Sequence, residues 1–335
     1  MFDNKLKAYG LRYLYCSNVV GLGFGRKEVK GKRQKDEALV YLVSKKIPEE
    51  SLASEDILPR RIDEVETDVI EVGDIKLLDS RKSKMRPARP GTSMAHHRST
   101  AGTFGALARS NETGEILILS NNHVLAKTTN GSDNRAAIYD PVLQPGPHDG
   151  GTQRDTVGYL YNYVPLHREL DVPTCSIARS VQGAGDVLCK ALGSSYRFQV
   201  LKERKTENLV DAALAKPGSQ NLVEAKIMEL GMPQGTAVAD MDMKLCKSGR
   251  STGVTTGVIK VLEATVRVVI DEQSSILLGE QIVSTSMGQP GDSGALVLNE
   301  DMQAVGLLCA GSDSATISNS IQNVMYLLDI ELLST

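Results

Sequence analysis

"GQPGDSGALV", residues 288–297, sets a serine between two glycines, behind an aspartate and ahead of an apolar run. Ser293 is either a nucleophile or part of a polar turn that leads into a strand. A serine hydroxyl is a weak nucleophile until a base takes its proton. The base is usually a histidine held in the right tautomer by a carboxylate, and backbone N–H groups beside a glycine suit the developing oxyanion. The tetrapeptide GDSG alone proves little: with glycine at ordinary usage it arises by chance in roughly one chain of this size in a few hundred. Its company carries more weight. "LSNNHVLA", residues 119–126, puts His123 at the end of an apolar strand, and "LVDAALA", residues 209–215, puts Asp211 within a strand of small apolar residues. An unpaired carboxylate would be costly there. His, then Asp, then Ser is one of three known chain orders for a catalytic triad. Ala295 stands where the nucleophile elbow of α/β-hydrolases needs a glycine, which removes that motif.

Outward from this stretch, the chain changes character at about residue 99. From there short apolar runs such as "EILILSNNHVLA", "TTGVIKVLEATVRVVI" and "AVGLLCAG" alternate with Gly, Asn and Asp, the pattern of an all-β barrel or sandwich. A helical insert is expected around 172–195, on "CSIARSVQGAGDVLCKAL". A C-terminal helix is expected on Ile321, Val324, Met325, Leu328 and Ile330, capped by Ser318 or Asn319. Residues 1–78 read as a small α+β domain: strands on "NVVGLGFGRKEV", "EALVYLVSKK" and "ETDVIEVGDI", with a helix start in "PEESLASEDI". Gly21, Gly23 and Gly25 miss the dinucleotide fingerprint because the third glycine comes one residue early, and they read as a strand whose backbone is closely approached. Residues 79–98, basic and rich in Pro, Gly and Ser, read as a linker or extended arm.

Composition narrows the function further. The 335 residues are 41% apolar and 24% charged, with a net charge of −3, so nothing favours nucleic acid or an anionic membrane as partner. No apolar run is long enough to span a bilayer, and Lys5, Lys7 and Arg12 break up the N-terminus too soon for a secretory signal. The five cysteines, at 16, 175, 189, 246 and 309, are scattered and include no C-x-x-C, which points to reduced thiols and a cytoplasmic location. His96, His97, His148 and His167 lack ligand spacing, so neither a metal nor another cofactor is expected. With no Trp and four Phe, the core must be aliphatic.

From about residue 99 to its end the chain resembles a trypsin-like (chymotrypsin-fold) serine protease, with His123, Asp211 and Ser293 matching the family's catalytic motifs. "LCKSGRSTGVTTGVI", residues 245–259, is similar to the "SGRTTG" hairpin of bacterial α-lytic-type proteases. With the N-terminal unit included, the chain resembles the intracellular trypsin-like group related to plant NARROW LEAF 1, through "NVVGLGFG", "ALVYLVSKK", "LSNNHVLA", "LQPGPHDGGT" and "PGDSGA". The resemblance implies a mainly β protein of two six-stranded antiparallel barrels, with the site in the cleft between them. It implies a serine endopeptidase acting on protein or peptide through an acyl-enzyme. Ser293 would attack, His123 would shuttle the proton, Asp211 would orient His123, and the N–H groups of Gly291 and Ser293 would form the oxyanion hole. The N-terminal domain is the candidate surface for self-association.

The same resemblance puts Met287 at the floor of the specificity pocket, with Ser286 beside it and Cys309, Ala310 and Gly311 as walls. With no acidic residue nearby in sequence, a small or medium apolar side chain is expected before the scissile bond. Asp292 needs a partner, and Lys247 matches the family's internal arginine; the pair would order the oxyanion loop without zymogen cleavage. Backbone N–H groups or Arg250 are the alternative partners. The chain departs from the family in having Asn121 and Asn122 before the histidine, Thr256 opposite Cys246, and Ala295. A latent or inactive protease-fold scaffold, or a protease that cuts its own arm at "SRKSKMRPARP", would carry the same motifs.

Overall fold

The structure, a computed structural model, describes residues 11–335 apart from 30–31, 74, 76–80, 172–174, 204–205 and 272–273. Residues 79–80 of the expected arm and 172–174 of the expected insert therefore lie outside the described residues. The chain forms two compact units, Met1–Asp79 and Ser80–Thr335.

The N-terminal unit holds a four-stranded sheet in the order Val19–Val29, Lys32–Val43, Val65–Glu71, Arg61–Ile62. The first two strands form a long antiparallel hairpin, and Lys32–Val43 runs parallel to Val65–Glu71. A Cβ on Gly25 would lie 3.0 Å from Val40 Cγ2, so this glycine serves close approach within the hairpin. Leu39, Tyr41 and Ile62 make the core, and Tyr13 meets Tyr41 edge to face at 5.8 Å. The helix expected in "PEESLASEDI" is two 3₁₀ turns, Glu49–Ser51 and Ser54–Asp56, joined through extended Leu52. Asp56 accepts from the Ser17 N–H and hydroxyl, both at 3.0 Å, and this tie competes with continuing a helix.

The second unit is mainly β, a chymotrypsin-like double β-barrel with a C-terminal helix. Its first half is an eight-stranded antiparallel sheet in the order Ile330–Leu332, Ala106–Ser110, Ile116–Ser120, Ala213–Pro217, Thr156–Tyr163, Pro141–Leu143, Ser93–His96, Gly102–Thr103. Its second half is a closed six-stranded barrel: Lys244–Gly249, Gly253–Asp271, Ser274–Thr285, Ala315–Ser320, Ala304–Gly311 and Leu296–Asn299, which pairs back with the first strand. The two extra strands of the first sheet have different origins. Ile330–Leu332 returns from the C-terminal helix to pair with Ala106–Ser110. Ser93–His96 comes from the segment expected to be a linker or extended arm. That expectation fails from Arg81 onward. Met94 and Ala95 are fully buried, and the Arg81 side chain donates to Gly91 O (3.1 Å), Ser248 Oγ (2.7 Å) and Glu229 Oε1 (2.8 Å).

One aliphatic core serves both halves. Leu117, Leu119 and Leu214 from the first pack with Leu296, Leu298 and Leu307 from the second, and Ile321, Val324 and Leu328 of the C-terminal helix Ile321–Leu328 close it. Ser320 stands at the helix N-cap, because Ser318 and Asn319 are buried in the preceding strand. The insert helix, Ser176–Ala191, buries none of its residues. Among the described residues no helix is long and apolar enough to cross a membrane.

The halves come close together at Gly294. Its φ is +94°, and a Cβ there would lie 2.1 Å from Ser120 Oγ and 2.4 Å from the Thr103 carbonyl. Only glycine meets both demands. Gly294→Ala is expected to lower unfolding free energy by about 1–3 kcal/mol from backbone strain alone, read as a fall in the urea midpoint; an unchanged midpoint would contradict this contact.

Candidate active site

The apolar strand Ile116–Ser120 ends at Asn121, and a single helical turn, Asn122–Leu125, carries His123. The two asparagines that depart from the family pattern are structural pegs. Asn121 donates to the Asp211 carbonyl at 2.7 Å. Asn122 donates to Thr129 O (3.1 Å) and Val164 O (2.7 Å) and accepts from Thr129 N–H (3.0 Å), so it ties down the loop that leaves the helical turn. Asp211 lies two residues before the strand Ala213–Pro217, not inside it, which leaves its backbone free for side-chain partners. Asn319 of the second barrel accepts from Asp211 N–H at 2.9 Å.

The Asp211 carboxylate is almost wholly buried and accepts from His123 N–H at 3.1 Å. Its other oxygen makes a short hydrogen bond with His123 Nδ1. A carboxylate only accepts, so this bond places the neutral imidazole's proton on Nδ1 and leaves Nε2 as an acceptor. Burial acts to lower the His123 pKa, while the Asp211 charge and hydrogen bond act to raise it, and the balance is raised.

Ser293 follows a tight turn in which Asp292 N–H donates to Gln289 O at 2.9 Å. Pro290 and Gly291 occupy the central positions, and the Gly291 φ of +98° gives the turn type II character. Among the described residues, the N–H groups of Gly291 and Ser293 have no acceptor within the chain. The Ser293 hydroxyl donates to the Cys309 carbonyl at 3.3 Å and makes no hydrogen bond to His123.

His123, Asp211 and Ser293 line one cleft of ≈ 600 Å³, together with Cys309, Ala310 and Gly311. Two expectations need correction. Met287 is 3% exposed and packs inside the barrel with Leu245 and Ile259, so Ser286 and Gly288 line the cleft instead. The Met287 side chain alternates inward because its N–H and C=O are held by Thr316 and Thr255 at 2.9 and 2.5 Å. An acidic residue is also nearby: Asp313 lines the cleft, brought there by the bend after Gly311. Sequence reading missed the opposite wall, Val268, Ile270, Ile276 and Leu278, which comes from the overlong hairpin Gly253–Asp271/Ser274–Thr285. The unusually long alternating run "ATVRVVI" was its signal.

Beneath the turn, Lys247 Nζ lies 3.1 Å from Asp292 Oδ2, with both side chains at zero exposure. Asp292 also accepts from Ser251 N–H (2.8 Å), Thr252 N–H (3.2 Å), Thr252 Oγ1 (2.6 Å) and Gln289 N–H (3.0 Å). Burial acts to raise the Asp292 pKa, but the Thr252 hydroxyl, the Lys247 charge and the N–H groups leave it lowered; burial lowers that of Lys247. Arg250 pairs elsewhere, through Nε (2.6 Å) and Nη2 (2.5 Å) to the two oxygens of Asp149.

All five cysteines are free. Cys246 faces Thr256 across the hairpin, and burial followed by the Asp211 charge pushes the Cys309 thiol well above its ordinary value. His96, His97 and Asp140 bring donor atoms within 4.8 Å, although adjacent histidines lack the usual sequence spacing of a metal site. His96 is already engaged on both nitrogens, by Asp140 (2.9 Å) and Arg98 N–H (3.1 Å), and the Arg98 guanidinium sits 3.3 Å from the same carboxylate oxygen. A cation bound to either nitrogen of His96 would have to displace the partner that nitrogen already has.

No family model and no curated protein matches the chain. Comparison with solved structures finds Thermobifida fusca protease A at 14% identity and TM-score 0.45, covering 73% of this chain and 98% of that one. A Cellulomonas bogoriensis chymotrypsin follows at 14% and 0.44, and Nocardiopsis protease at 15% and 0.44, with the same coverage of 73% and 98%. At that distance the fold rests on the strand pairing of this chain, and the site on its own geometry.

The electrostatics predict an NMR titration. The His123 imidazole should titrate above about 6.5, the ordinary histidine value. In Asp211→Asn the carboxylate charge is gone and burial acts alone, so the value should fall below the wild-type one. A wild-type value at or under the ordinary one would contradict the pairing.

Proposed function

We propose that the chain is a serine endopeptidase that cleaves protein or peptide substrates through an acyl-enzyme. The observation that carries this reading is the His123–Asp211 pair lining one cleft with a serine whose neighbouring N–H groups, on Gly291 and Ser293, lack acceptors. Ser293 rotates from the Cys309 carbonyl toward His123 Nε2, which takes its proton as the Ser293 oxygen bonds to the peptide carbonyl carbon. The two N–H groups stabilise the oxyanion. His123 then gives the proton to the leaving amine, and water reverses the sequence to release the acid. Asp211 stays ionised and holds the tautomer. The buried Lys247–Asp292 pair keeps the oxyanion turn formed without zymogen cleavage.

Val268, Ile270, Ile276 and Leu278 support a preference for apolar peptide side chains beside the scissile bond. Five free thiols fit a reducing compartment, and we place the protein in the cytoplasm, in the trypsin-like group related to plant NARROW LEAF 1. A latent protease is the second reading, favoured by the resting Ser293–Cys309 hydrogen bond.

A fluorophosphonate probe decides between them. It should label the wild type and not Ser293→Ala: the Ser293 O–P bond forms, P–F breaks, and the proton goes to His123. Labelling of neither protein means a latent or inert chain. Because the base must be neutral and its pKa is raised, the labelling rate should fall as pH drops through a value above about 6.5. Asp211→Asn should cost roughly 10⁴-fold in rate. Lys247→Met, which strands a buried carboxylate, should destabilise by about 3–5 kcal/mol and lose labelling while still folding below its melting temperature. Full labelling of that variant would remove the pair from the mechanism.

A further inference from the structure

The oxyanion turn is gripped from the side away from the cleft. Gln289, Pro290 and Ser293 line the cleft. On the opposite side, a Cβ on Gly291 would lie 2.4 Å from Arg250 Nη1 and 2.5 Å from Ser251 Oγ. The Ser251 hydroxyl donates to the Pro290 carbonyl at 2.7 Å and accepts from Arg250 Nη1 at 3.0 Å. Arg250 is held in turn by both oxygens of Asp149, on the 3₁₀ turn Pro147–Asp149 of the first half; the two side chains are 7% and 6% exposed. Thr103, also of the first half, accepts from Arg250 N–H (3.0 Å) and donates to the Gly291 carbonyl (2.9 Å).

A trans peptide points its C=O and N–H in opposite directions. In a type II turn the central peptide can rotate by half a turn to give type I with little change in the flanking residues, and Gly291 tolerates both. Among the described residues the Gly291 N–H has no acceptor within the chain, so the held atom of that peptide is the Pro290 oxygen, and Ser251 holds it. We propose that Asp149, Arg250 and Ser251 form a positioning relay that locks the Pro290–Gly291 peptide with Gly291 N–H toward the cleft. Oxyanion competence then depends on the first half of the protease unit being docked on the second. The relay and the Lys247–Asp292 pair share Ser251, whose N–H donates to Asp292, but they act through different groups: the pair holds the Asp292 side chain, whereas the Ser251 hydroxyl sets the direction of one peptide bond. It rests on the serine-protease reading above, and its test separates the two.

The experiment compares wild type with Ser251→Ala, Ser251→Thr and Asp149→Asn, using fluorophosphonate inactivation and crystal structures. Ser251→Ala should lower kinact roughly 10- to 100-fold with KI and Tm near wild type, since it removes one hydroxyl at a partly exposed site. Ser251→Thr, which keeps the hydroxyl, should recover most of the rate. Asp149→Asn should lower kinact in the same direction by freeing Arg250. In the Ser251→Ala crystal the Pro290 carbonyl should be turned toward the cleft. A wild-type kinact in Ser251→Ala, or a Ser251→Thr variant as slow as Ser251→Ala, overturns the relay. If the wild type itself is inert to the probe, the protease reading fails, and the crystal structures alone decide the relay: an unmoved Pro290 carbonyl in Ser251→Ala overturns it.

Discussion

A carboxylate taken wholly out of water must find donors for all its lone pairs, and the second barrel is arranged around that demand at Asp292. Five donors converge on it: one ammonium, one hydroxyl and three backbone N–H groups. They come from the strand Lys244–Gly249 and the turn that follows it, and from the turn at Gln289, two segments distant in sequence. Satisfying Asp292 therefore fixes the hairpin and the turn to one another. A Cβ on Gly249 would lie 2.4 Å from Asp292 Oδ1, so the hairpin backbone must come this close for its N–H groups to reach. Ser293 is the next residue, and its position is inherited from this arrangement.

The first half of the second unit solves the same problem at Asp211 with different means. There the carboxylate is satisfied by a single histidine, through backbone and ring. The surrounding amides, Asn121 and Asn319, act on the Asp211 backbone, not on the carboxylate. Leaving one carboxylate to one imidazole keeps a full negative charge directed at His123, which raises its pKa against the effect of burial. Asn319 belongs to the second barrel, so the orientation of Asp211 also depends on contact between the halves. Of the two buried acids, Asp211 is tied across the cleft through Asn319, whereas every donor to Asp292 belongs to the second barrel.

The sequence pointed to Ser293 and His123 through their motifs and to Asp211 as a carboxylate among small apolar residues, where it would be costly unpaired, and the structure lines one cleft with all three. The alternating strands left an all-β barrel or sandwich open, and the family resemblance chose the barrel. What escaped notice has a physical cause in each case. Met287 could not be distinguished from a pocket residue because strand alternation flips side chains by one residue, and the local bend at Met287–Gly288 is set by Thr255 and Thr316, distant in sequence. The eighth strand of the first sheet, Ile330–Leu332, is three residues long and gains its pairing only from a partner at Ala106–Ser110. The residues at 81–98 read as an arm because Pro, Gly and basic side chains dominate, yet the guanidinium of Arg81 is buried among three acceptors. Composition counts charges but does not reveal their partners.

Lysine at position 247 is better matched than a comparison with arginine suggests. Arginine offers five N–H donors in a rigid fork and lysine three that rotate. Lys247 Nζ meets three acceptors, Thr252 Oγ1, Gly253 O and Asp292 Oδ2, so each of its protons has a place. A bidentate arginine would compete with Thr252 for Asp292 Oδ2 and with Ser251 for Oδ1. The missing second hydrogen bond of a lysine is instead supplied by the Thr252 hydroxyl, which accepts from the ammonium and donates to the carboxylate. The hairpin sequence and the cation are thus matched as a set: Lys247 holds the charge balance, Thr252 relays it, and Ser251 is left free to face the Pro290 carbonyl.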